Sequence, residues 1–209
     1  MIFARKFSIA EDNDYERIAA VSGRLRTLLE AFVEGQLPPE YGMKQLAGYA
    51  RSLITVQRVD GSFSAYAHPE KLEIDVCTDA HRFVTWAALA FLCRYQDIED
   101  ESAKSTDELI PGLGESILAG MRCPAASNFN FPESGEAEPV QQVEAVLILS
   151  SGGLPGRLSV DSSSAPELSS ALNGLKVDFR SRLESGNTSL PGGIEYADLF
   201  RQALKGLDS

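Results

Sequence analysis

Arg51-Ser-Leu-Ile-Thr-Val-Gln57, then Asp60-Gly-Ser-Phe63 and, after a loop, Asp75-Val-Cys-Thr-Asp-Ala-His81 running into an apolar segment up to Tyr95: this stretch decides the fold. It holds the only Trp, both His and two of the three Cys. Leu53, Ile54 and Val56 close one helix. Asp60-Gly61 reverses the chain, because Gly accepts the positive φ that a tight turn demands. Thr78 or Asp79 is placed to accept an orphan N–H and start the next helix. Phe83, Ala87, Ala90 and Phe91 then recur at helical spacing, and Trp86, Leu89 and Leu92 fill the remaining faces. A helix apolar nearly all round must be buried on several sides. Ala87, Ala88 and Ala90 would let a neighbour approach closely.

Upstream, an amphipathic helix is expected from Asp12–Asp14 to Glu34, with Ile18, Val21, Leu25, Leu28, Leu29 and Phe32 on one face. Gly35 caps it and Pro38-Pro39 forbid its continuation. A second helix from Pro39 to Val56 carries Tyr41, Leu46, Tyr49, Ala50 and Leu53. The two form an α-hairpin that turns between Gly35 and Pro38. Downstream, Gln96 to Ser105 reads as a solvated acidic connector. Ser105 or Thr106 caps a helix with Leu109, Ile110, Leu113, Ile117, Leu118 and Met121 as its apolar positions, Pro111 in its first turn and Gly112-Leu-Gly114 inside it.

The helix–turn–helix theme then returns. Asn128-Phe-Asn-Phe-Pro132 takes the place of Asp60-Gly-Ser-Phe63, Glu133 to Glu138 form a charged loop, and Pro139 opens a helix to Ser151, ended by Gly152-Gly153. A mixed fold is the runner-up, because Val140 to Leu149 is β-branched enough for a buried strand and Arg157 to Val160 could be another. In the last round Ser162-Ser-Ser164 marks a linker, and Ser164-Ala-Pro-Glu167 is a capping box before a helix with Leu168, Leu172, Leu175, Phe179 and Leu183. Ser189 to Gly193 reverse the chain into a final short helix with Tyr196, Leu199, Phe200, Ala203 and Leu204. The reading is therefore all-α, a single helical domain over residues 1–209, built of stacked α-hairpins. Such hairpins cannot bury their apolar faces alone.

Charge and composition narrow the function classes. A formal net charge of -11 and a pI of about 4.7 disfavour nucleic acid and anionic membranes, which repel an acidic protein, and favour a basic protein partner. No apolar run is long enough to span a bilayer, and Met1 to Phe7 lacks a signal-peptide core, so the expected compartment is the cytoplasm. Cys77, Cys93 and Cys123 are odd in number and form no CxxC pair, which points to reduced thiols. No P-loop, dinucleotide fingerprint or nucleophile elbow occurs.

Gln57-Arg-Val-Asp-Gly-Ser-Phe63 followed by Asp75-Val-Cys-Thr-Asp-Ala80 resembles the repeats of the terpenoid cyclase and protein prenyltransferase superfamily, the α/α toroids. In those repeats a helix ends in Gln before an Asp-Gly-Ser-Phe-like turn, and an inner helix opens with an Asp-rich segment. The resemblance implies an open or partial α/α toroid, since a closed one needs more hairpins than this chain carries.

It also implies a site. Prenyltransferase subunits of this superfamily bind zinc through an Asp-x-Cys pair at the start of an inner helix and a later His. Asp75-Val-Cys77 reproduces the pair, but no His follows His81, so His81 or His68 would have to substitute. Carboxylate, thiolate and imidazole suit a tetrahedral zinc with one open position. Read without the resemblance, Asp75 and Asp79 are caps, Cys77 is a small buried side chain and His68 belongs to an exposed loop. Class II cyclases have consecutive acidic residues where this chain has Cys77-Thr78, so alkene protonation is not implied. Nor do aromatics, at 8% of the chain, suffice to line a carbocation pocket.

The expectation is an acidic, helical protein-binding or regulatory module needing no cofactor, with Glu133, Glu136 and Glu138 offered to a basic partner. The alternative is an isoprenoid-handling enzyme or subunit centred on zinc at Asp75, Cys77 and His81. A structural homodimer is also compatible with half-toroid length.

Overall fold

The computed structural model describes residue 36 and residues 39–63, 79–102, 110–131, 138–188 and 196–208; for 39–41, 56, 79–81 and 99–102 only the backbone is described. Among them are eight α-helices and no strand. We label them α1 (Pro39–Val56), α2 (Asp79–Ser102), α3 (Leu113–Arg122), α4 (Pro124–Ser127), α5 (Glu138–Ser151), α6 (Leu154–Val160), α7 (Pro166–Ser185) and α8 (Ala197–Leu207). A single 3-10 turn, Ser162–Ser164, joins α6 to α7. The helix expected from residues 12–14 to 34, the hairpin turn at 35–38 and the reversal at 189–193 lie outside the described residues.

The all-α reading holds, and α1 has the bounds that its periodicity predicts. Leu46, Ala50 and Leu53 recur along one face and are buried, whereas Lys44, Arg51 and Ser52 on other faces are exposed. The segment Val140 to Leu149, which could have been a strand, lies within α5, and Arg157 to Val160 lies within α6.

The helices pack as two rows. One contains α2, α5 and α8, with α5 between the other two; the second contains α1, α3 and α7, with α3 touching both neighbours. The rows meet where α1 and α3 pack on α2 and where α7 packs on α8. Short α4 lies against α2, α3 and α7, and short α6 against α5, α7 and α8. The core runs between the rows. Trp86, Ala88, Leu89, Leu92 and Cys93 of α2 are wholly buried, as are Val146 and Leu149 of α5 and Phe179 of α7. Full burial of each large aliphatic or aromatic side chain contributes about 1.5–3 kcal/mol.

Two hydrogen-bonded joints fix the rows. At the first, the turn after α1 is closed by Arg58 N–H to Ser62 O (2.9 Å) and Gly61 N–H to Arg58 O (2.9 Å), with the Asp60 carboxylate accepting from Ser62 N–H and Oγ–H. Gln57 Nε2 donates to Gly61 O and to Ser116 O of α3, both at 2.8 Å, while Ser116 Oγ donates back to Gln57 Oε1 at 2.6 Å. Phe63 N–H donates to Thr85 Oγ1 of α2. At the second joint, Arg157 of α6 donates to Cys93 O and Gln96 Oε1 and pairs with Asp97.

The structure corrects several expectations. Gln96 to Ser102 are not a loop, because α2 continues through them: Ile98 is buried, and Arg157 engages the acidic segment from sixty residues away. The next helix starts at Leu113, later than expected, with Pro111 and Gly112 forming a turn before it and Gly112 at φ +79°. Ser164 makes no capping box; Ala165 is the N-cap of α7, and Ser164 Oγ donates to Asp161 O within the 3-10 turn. Short α4 and α6 were not foreseen, since neither is long enough to show a period.

Two glycines give opposite predictions. Gly61 has φ +86°, and an added Cβ would run into the Ala119 carbonyl of α3. Gly174 lies inside α7 with open space around it. Gly61→Ala is expected to lower the unfolding free energy by about 2 kcal/mol or more, whereas Gly174→Ala should raise it by roughly 0.5–1 kcal/mol. Equilibrium urea unfolding measures both, and equal effects at the two positions would contradict the packing described.

Candidate functional site

The residues proposed for zinc are Asp75, Cys77 and His81, with His68 as the substitute for His81. Of these, Asp75, Cys77 and His68 lie outside the described residues. Asp79 and His81 stand in the first turn of α2, with their side chains outside the described set. The structure therefore places the beginning of the helix and not the ligand geometry. Among the described residues, no three His, Cys, Asp or Glu side chains are grouped to hold a metal ion.

Beside this turn, residues 128–131, which follow α4, are held by side chains of α2 and α5. Arg82 is 3% exposed despite its charge. Its Nη1 donates to Asn128 Oδ1 (3.1 Å), Asn128 O (3.3 Å) and Asn130 O, and its Cζ lies 4.8 Å from the centroid of the Phe131 ring. A buried guanidinium needs such acceptors, and the aromatic face adds cation–π attraction.

Trp86, one turn further along, stacks on Phe129 with ring centroids 5.0 Å apart and planes 6° apart, and its Nε1–H donates to Ala126 O at 2.8 Å. Phe83 meets Trp86 edge-on, at 5.1 Å and 83°. From α5, Gln142 Nε2 donates to Phe129 O, and the Glu138 carboxylate accepts Phe131 N–H at 3.0 Å.

Glu138, read from the sequence as offered to a basic partner, is half-buried in the first turn of α5, where its carboxylate satisfies the Phe131 backbone N–H. Glu133 and Glu136 lie outside the described residues. The sequence reading passed over Arg82 and Gln142 and took Asn128 and Asn130 only as part of a turn. A cationic residue within the apolar stripe of α2 was the available signal, since such a charge must find buried acceptors.

The thiols in the core are unsuited to nucleophilic or ligand chemistry. Burial pushes Cys93 up to about 12 and Cys123 up to about 11, so both stay protonated at neutral pH. Burial also raises the Glu144 carboxyl on α5 above its ordinary value. Between the end of α7 and the start of α8, Leu183, Gly186, Thr188, Ala197, Asp198 and Arg201 line an open groove of about 490 Å³.

The cage around Arg82 can hold residues 128–131 in place. No protein-family model, curated protein or solved structure matches this chain.

Arg82→Met should destabilise the protein by about 2–4 kcal/mol, because it strands the Asn128 and Asn130 carbonyls, with Arg82→Lys recovering part of the loss. Trp86, the only tryptophan, reports on the same cage. Denaturant titration followed by its emission measures the loss, and the native emission of Arg82→Met should shift to the red as the stack on Phe129 loosens. Unchanged stability and unchanged emission would contradict the role given to Arg82.

Proposed function

We propose that this chain is a small acidic helical module that binds a protein partner, built as a truncated toroid-like array without a complete catalytic set. The observation that carries the reading is the filling of the space between the helix rows. Among the described residues, Trp86, Phe63, Phe131 and Leu89 occupy it with no exposed surface, which favours recognition on the exterior. The formal net charge of -11 favours a cationic surface on the partner and speeds encounter with it. The toroid-like part of the proposal draws support from the two rows of alternate helices and from Gln57, the residue that carried the resemblance, whose amide ties the first turn to α3.

Affinity capture on the immobilised chain, followed by association kinetics of the captured protein at low and high ionic strength, tests this reading. The association rate should fall on the order of tenfold as salt screens the attraction. Failure to capture a protein, or a rate indifferent to salt, would contradict it.

A second reading, a prenyltransferase-like zinc subunit, rests on Asp75-Val-Cys77 preceding α2 in sequence, with His81 in the first turn of that helix. On this reading, protein loaded with zinc and then dialysed retains one equivalent of metal, and Cys77→Ala retains none. Metal-free protein after the same loading would eliminate it.

A further inference from the structure

We draw no further inference here: the strongest candidate, the open groove between the C-terminal end of α7 and the first turn of α8, presents a helix N-terminus beside an Asp198 carboxylate already bonded to Arg201, and nothing in the structure shows what covers it.

Discussion

The constraint on which the rest depends is that α2 must be dry on nearly every side. From Val84 to Cys93 it presents Val84, Trp86, Leu89, Phe91, Leu92 and smaller residues, and apart from half-buried Ala87 each is almost completely removed from water. No single neighbour can cover such a helix. Here α1, α3, α4 and α5 share the task. Close approach is possible because glycine meets α2 from two directions: a Cβ on Gly120 would reach the Leu89 side chain, and one on Gly152 would strike the backbone at Ala90. Once those surfaces are in contact, α8 buries its apolar stripe against α5, and α7 packs across α3, α4 and α8.

The polar contacts then determine register more than they drive burial. Gln57 matches a side-chain amide to two carbonyls and a hydroxyl, so the turn after α1 can sit on α3 in one position. Arg82 does the same for Asn128 to Asn130 after α4, and Arg157 for the second half of α2. Each joint satisfies groups that would be costly to bury alone. Arg157 also compensates Asp97 near the C-terminal half of α2, where negative charge opposes the helix dipole.

What was legible in the sequence follows from range. The bounds of α1, the helical state of α5 and the position of α8 come from apolar periodicity and from Gly or Pro punctuation, which act within a few residues. The end of α2 was not legible, because Arg157 holds it from another helix. The Ser164 capping box failed for a related reason: Asp161, three residues earlier, organises the same serines into a 3-10 turn. Of the candidate site, sequence located the start of α2 and the Asp60-Gly61 reversal. It did not reveal that Glu138 and Arg82 bond to Asn128, Asn130 and Phe131, since those partners come within reach only after α4 and α5 have packed on α2.

Native-state hydrogen exchange, resolved along the chain, tests the central claim most directly. If α2 is the element around which the rows assemble, amides from Val84 to Leu92 should be the most protected, exchanging only through global unfolding, with α7 and α8 opening at lower free energy. Exchange within α2 as fast as that in α8, or protection highest in α7, would show that the protein is organised around a different helix.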